Sequence, residues 1–205
     1  MDLRQIFIQL VNTYTSDESI PISMWSELEK KYSSRKRYYH TLSHLEVLLD
    51  QLGGCKQFIA DWDTLLFSVF YHDIVYNVLK SNNEERSADL AAKRLSATEF
   101  PGDRINICKE QILATKNHLF SNNEDTNLFT DADLSVLGQP PGAYEQYCGQ
   151  IRKEYSIFPD LVYKPGRKKV LIHFLNMEKI FKTSIFYDKY ELRARKNLES
   201  ELTGL

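Results

Sequence analysis

Apolar positions along this chain recur with helical rather than strand spacing almost throughout. In LRQIFIQLVNTY, Leu3, Ile6, Leu10 and Val11 share one stripe, as a period near 3.6 requires. A Pro-containing loop leads into SMWSELEKKY, and LEVLLDQL precedes a break at Gly53-Gly54. DTLLFSVFYHDIVY is apolar almost all round, the pattern of a central buried helix. NEERSADLAAKRL is amphipathic, with Ala88, Leu90, Ala91 and Leu95 available for packing. Pro101-Gly102 punctuates before DRINICKEQILATKNHL, and Ser121 to Thr126 reads as a polar loop. Pro140-Pro141-Gly142 precedes AYEQYCGQIRKEY, and Pro165-Gly166 reads as a break before RKKVLIHFLNMEKIF. The last segment, YELRARKNLESEL, sets Glu191 and Arg195 in the favourable i, i+4 order.

No run alternates as a strand would, and no internal repeat or low-complexity tract appears. The expectation is an all-α chain of roughly eight to ten helices, read as one domain over residues 1–205. Its motif-bearing core is placed at about 37–138 and a C-terminal helical part at about 143–203.

Composition narrows the class. A chain of 205 residues with 42% hydrophobic residues can bury a sizeable core. A net charge of −2 gives no overall pull toward nucleic acid or a membrane surface, so neither is expected as a partner. No apolar run approaches the ~20 residues needed to span a bilayer. The segment MDLRQIFIQLVNTY lacks the apolar core and cleavage site of a signal peptide. Cys55, Cys108 and Cys148 are odd in number and far apart, offering neither a disulfide framework nor a Cys-x-x-Cys zinc motif. A reducing cytoplasm is the expected setting.

The chemistry lies with the histidines, which are His40, His44, His72, His118 and His173. His40 and His44 lie four apart in RYYHTLSHLEVLL. A helix through both would put them on one face. Alternatively, Ser43 and Glu46 form a capping box, with His44 in the first turn and His40 in the chain leading in. Alone, the pair reads most simply as exposed residues beside the basic run Arg35-Lys36-Arg37. His72-Asp73 closes the most apolar segment, either as a helix end meeting water or as two adjacent metal ligands. Downstream, FTDADLSVLG carries Asp131 and Asp133 with no basic neighbour. Two apart on a helix, they point nearly opposite ways, so at most one is a ligand. Thr130-x-x-Asp133 as a capping box, or Asp131 as an N-cap, explains them equally well.

The ordered set His, His-Asp, Asp over about ninety residues resembles the HD superfamily of metal-dependent phosphohydrolases, all-α proteins with the motif H…HD…D. YHTLSHLEVL is similar to the Tyr-His-Asn-x-x-His-Ala-x-x-Val signature of the cyclic-nucleotide phosphodiesterase branch, and ADLS to its Ala-Asp-[Ile/Leu]-Ser. From about residue 37 to the C-terminus the chain also resembles a bacterial group of predicted HD phosphohydrolases, through YHTLSH, HDIVY, NEERSA, DADL and YKPGR. The resemblance implies an HD-type helical domain in which His44, His72, Asp73 and Asp133 bind metal. It implies His40 as the general acid and favours Asp133 over Asp131. Two departures are plain. Thr41 stands where the phosphodiesterases have Asn, and Tyr76 and Asn77 occupy the region of their second-metal histidine. One metal site is therefore expected, since a second would need Glu84, Glu85 or Asp89 in place of histidine.

The implied activity is cleavage of a phosphate ester of a nucleotide or other small molecule by a metal-activated water. The cofactor is one divalent ion, with manganese, iron, cobalt, nickel, zinc and magnesium all compatible with two imidazoles and two carboxylates. Arg37, Lys116 and Arg167 are the candidate phosphate holders. His118 is expected to contact substrate or back a ligand, and His173 to sit in the core or an interface. Glu84, Glu85 and Asp131 are expected to support the ligands or orient water. Capping by Asn82 or Asn83, with acids in the first turn, explains the two glutamates as well. Tyr38, Tyr39 and Tyr76 are placed to line the pocket. The alternative function is a metal- and nucleotide-binding sensor without turnover, and a metal-free helical interaction protein is a third reading. The apolar, aromatic C-terminal third would allow a homodimer.

Overall fold

The computed structural model describes all 205 residues. It is all-α, with ten helices and no strand. They are α1 (Leu3–Asn12), α2 (Ser19–Tyr32), α3 (Leu42–Gly53), α4 (Trp62–Tyr71), α5 (Asn83–Leu95), α6 (Gly102–Ala114), α7 (Glu124–Leu134), α8 (Pro141–Glu154), α9 (Asp160–Leu175) and α10 (Ser184–Gly204). Short 3-10 turns occupy Lys56–Phe58 and Ser135–Gly138. The chain gathers into two compact units, Met1–Thr130 and Asp131–Leu205, and the division falls within α7. No helix is long and apolar enough to cross a membrane.

The first unit is organised around α4, in which every residue from Thr64 to Tyr71 is buried. This is the helix whose sequence is apolar on all sides, and it packs against α3, α5 and α6. Its start is fixed by polar groups. Asp61 accepts from the Thr64 amide at 3.1 Å, and Asp125 accepts from the Ala60 and Asp61 amides, both at 2.8 Å. Together these carboxylates satisfy backbone donors that a helix start leaves open. Arg104 of α6 bonds Asp61 and donates to the Tyr14 hydroxyl. Phe7 of α1 is fully buried against Trp25, Phe67 and Phe70, the last at 4.9 Å between ring centres. Arg94 of α5 forms a bidentate pair with Glu27 of α2, at 2.7 and 2.9 Å.

In the second unit α10 packs against α9 and against the Ser135–Gly138 turn. The approach is close at Gly138, where a Cβ would lie 2.5 Å from the Tyr190 Cβ, so only glycine fits. Asn197 donates to the Leu137 and Gln139 carbonyls at 2.8 and 2.9 Å. The Glu191–Arg195 pair expected from its spacing is present at 2.7 Å. It does more than brace α10. Glu191 accepts from the Ile180 and Phe181 amides, while Arg195 donates to the Leu175, Met177 and Glu178 carbonyls, so the pair holds the α9–α10 connection.

Several boundaries differ from the expected ones. Pro165-Gly166 does not break the chain, because α9 runs through it. Proline there removes the one amide bond that would go to the Leu161 carbonyl, and Leu161 is 89% exposed, so water can donate to that carbonyl in place of the missing amide. α2 begins before Pro21, which occupies a first-turn position where its missing amide costs nothing. The Ser121–Thr126 loop is shorter than expected, since α7 starts at Glu124, and both capping readings of Thr130, Asp131 and Asp133 fall because all three lie inside α7. Asn82 and Asn83 make no side-chain cap on α5; Asn83 instead bonds the Asn77 backbone. His173 is exposed, not in the core.

The Glu27–Arg94 pair gives a pH test. The Arg94 hydrogen bonds hold the Glu27 carboxyl below its ordinary value of 4.5. A depressed folded-state value stabilises the fold above the unfolded value and is lost as pH falls through the folded one. Urea denaturation from pH 6 downward is expected to show a loss below about pH 4.5, no larger than about 1 kcal/mol because both side chains are partly in water. Glu27→Gln is expected to remove that component of the pH dependence.

Candidate metal centre

The opening pair of histidines is divided between a loop and a helix. Thr41 precedes the first residue of α3, so Ser43 is inside the helix and is not its cap. His44 sits in the first turn, and His40 lies in the lead-in chain. His44 is 4% exposed.

His72 directly follows the last residue of α4, its amide bonded to the Ser68 carbonyl at 2.9 Å. It does not emerge into water, being 1% exposed. Its Nδ1 lies 2.8 Å from the Val69 carbonyl. A carbonyl only accepts, so Nδ1 carries a proton and Nε2 is the ring nitrogen turned to the cluster. That Nε2 faces the His44 Nε2 at 3.3 Å. Two nitrogens bound to one ion at ~2.1 Å, with octahedral or tetrahedral angles, stand about 3.0–3.4 Å apart. The pair therefore has the separation that shared coordination needs. Carbonyls at the C-terminal end of a helix also favour positive charge nearby.

Asp73 joins the same cluster. Its Oδ2 is 3.1 Å from the His72 Nε2, 4.0 Å from the His44 Nε2 and 3.8 Å from the His40 Nε2. Asp133, in the last turn of α7, forms with His44 and His72 a group whose ligand atoms all lie within 4.8 Å of one another. Neutral imidazole and carboxylate together suit a borderline or harder divalent ion, and this group can hold one.

The surroundings hold the histidine rings in place. His40 stacks against Tyr76, with ring centres 4.2 Å apart and planes inclined by 31°. Tyr39 lies against both His40 and His44, at 5.0 and 4.9 Å. The Phe129 ring meets His72 edge-on at 5.6 Å. Tyr38 is 46% exposed.

The basic residues singled out in the sequence have other partners. Arg37 is buried, over the rings of Tyr32 and Tyr76. It donates to the His40 carbonyl at 3.1 Å and to the Ile74 carbonyl at 2.9 Å. It thus ties the His40 loop to the turn after His72-Asp73. Lys116 bonds Glu85 and the Ser81 carbonyl, joining the end of α6 to the start of α5. Glu84 is in the first turn of α5, as dipole stabilisation would have it. His118 lies four residues after α6, with a positive φ of 52° and its amide bonded to the Ala114 carbonyl. Asp131 is fully buried and accepts from the Lys182 amide, the Thr183 amide and the Thr183 hydroxyl. Arg167 is spent on Glu201 through two bonds of 2.7 and 2.9 Å, inside the second unit. The Tyr144 hydroxyl and Cys148 thiol also point to that carboxylate.

Sequence reasoning overlooked Ser87. Its hydroxyl accepts from the Val75 amide at 3.1 Å and so pins the turn after Asp73 to α5. NEERSA was singled out as a motif, yet nothing in its pattern named the serine's partner. Comparison with family models, with curated proteins and with solved structures finds no match to this chain.

Arg167 supplies a sharp test. Its guanidinium is 7% exposed, and removing one partner of a buried pair leaves the other charge unpaired. Arg167→Met is expected to lower unfolding free energy by about 3–5 kcal/mol in urea titrations. A loss near zero would mean the arginine is free for another task.

Proposed function

We propose that this chain is a metal-dependent phosphohydrolase of the HD superfamily. In this reading His44, His72, Asp73 and Asp133 hold one divalent ion. The observation that carries it is the pair of buried imidazoles whose Nε2 atoms face each other at 3.3 Å, with the Asp73 carboxylate beside both. The motif order that resembles the superfamily supports the reading independently of that geometry. The lack of a membrane-crossing helix fits action on a small, diffusible ester, and a cytoplasmic setting is part of the proposal.

A bound divalent ion would supply Lewis acidity toward a phosphoryl oxygen and acidify water at neutral pH. The protein's own groups do the rest. His72 presents Nε2 because its Nδ1 proton is committed to Val69. Asp73 supplies negative charge that keeps a cation at the cluster. His40 is 18% exposed in its side chain and lies at the edge, near enough to Asp73 for its Nε2 to keep a proton oriented. It delivers that proton to the leaving oxygen. Arg37 keeps His40 and the His72-Asp73 turn in register through their backbone carbonyls. The substrate class is a nucleotide or another small phosphate ester, with Tyr38 available to a base or other flat group.

Purified protein loaded with manganese should release phosphate or cleave a diester within a panel of nucleotides and small esters. His72→Ala should lose both metal and activity. His40→Ala should keep the metal and slow turnover by roughly a hundredfold or more. Metal-loaded protein inert across the panel would point to a sensor instead, and a protein with no affinity for manganese would sink the reading.

A further inference from the structure

His40 lies in the chain before α3, with its side chain 18% exposed. Its Nε2 stands 3.8 Å from the Asp73 Oδ2, longer than a hydrogen bond, so that contact alone does not set the plane of the ring. The terminal torsion of a histidine is otherwise broad. Two aromatic rings narrow it. The Tyr76 ring lies over the imidazole, with centres 4.2 Å apart and planes inclined by 31°. Tyr39 meets the same imidazole edge-on at 5.0 Å.

Tyr76 is itself held. It lies in the connection from α4 to α5, and the backbone is fixed on both sides of it. The Ile74 carbonyl accepts from Arg37 at 2.9 Å, and the Val75 amide donates to Ser87 at 3.1 Å. Beyond it, the Asn77 amide donates to the Asn83 side chain and the Asn77 carbonyl accepts from it, both at 3.1 Å. The Arg37 guanidinium lies 5.5 Å from the Tyr76 ring centre and 4.8 Å from that of the fully buried Tyr32. Core packing would explain a ring turned among apolar side chains. Tyr76 is only half-buried, and the ring it covers is a polar imidazole at the edge of the histidine cluster.

We propose that Tyr76 is a positioning residue for His40, whose imidazole plane is fixed by the tyrosine ring and not by its hydroxyl. The inference rests on the phosphohydrolase reading, in which His40 protonates the leaving oxygen. The proton passes from the His40 Nε2 to that oxygen as the P–O bond breaks, and the bonding electron pair departs with the oxygen. An acid acts only within hydrogen-bond reach, and a misplacement of about 1 Å can cost about a hundredfold in rate.

The test uses full-length, manganese-loaded protein with phenyl and p-nitrophenyl phosphates, as monoesters and as diesters. Phenoxide is the more basic leaving group and depends more on an acid. Tyr76→Ala should lower kcat on the phenyl esters roughly ten- to a hundredfold, and by a clearly smaller factor on the p-nitrophenyl esters. Manganese affinity should be unchanged. Tyr76→Phe keeps the ring and should restore most of the rate. His40→Ala/Tyr76→Ala should be no slower than His40→Ala, because the tyrosine acts only through the histidine. If Tyr76→Ala does not fold, Tyr76→Leu keeps apolar bulk without a ring face and should show the same leaving-group pattern. Equal losses on both leaving groups, full activity without the ring, or a double variant slower than His40→Ala overturns the assignment and leaves the phosphohydrolase reading intact. Wild-type protein that binds manganese and cleaves none of the esters overturns both.

Discussion

Two buried imidazoles whose Nε2 atoms stand 3.3 Å apart are the constraint around which the first unit is built. Burial of His72 is possible because α4 carries it to the end of the most apolar helix and the Val69 carbonyl takes its one proton. Burial of His44 is possible because α3 starts just before it, so the side chain leaves the first turn toward α4 and not toward water. Each imidazole left without a partner at Nε2 would cost desolvation. A shared cation would satisfy both at once, and the 3.3 Å separation fits one.

Much of the rest of the first unit serves to keep those rings still. Asp125 and Asp61 fix where α4 begins, and so set where it ends. The aromatic cluster around Phe7 sets its depth. Arg37 and Ser87 grip the turn beyond Asp73 from opposite sides of the sequence, one through Ile74 and one through Val75. The second unit follows the same economy, with carboxylates satisfying backbone amides. Glu191 and Asp131 hold the α9–α10 connection, and Glu201 gathers Arg167, Tyr144 and Cys148.

The helical class was readable because periodicity is a local property of side-chain burial. NEERSADLAAKRL coincides with α5, and the fully apolar segment is indeed the buried α4. Boundaries failed where local signals were overridden. Pro165 was read as a stop, but a single lost bond at an exposed carbonyl is tolerated. Of the candidate site, the histidines and Asp73 could be named because a motif orders them. That His44 lies on α3 and His40 before it depended on α3 beginning just after Thr41, which spacing left open. Arginines were the weakest reading. A sequence shows that Arg37 and Arg167 are charged, but not that backbone carbonyls or Glu201 claim their donors.

The central claim is that His44 and His72 bind one ion together. Pulsed electron paramagnetic resonance of the manganese-loaded protein counts directly coordinated imidazole nitrogens. Two histidine nitrogens on a stoichiometric ion are predicted, falling to one in His44→Ala. A signal with no histidine nitrogen coupling, or one unchanged by His44→Ala, would contradict it.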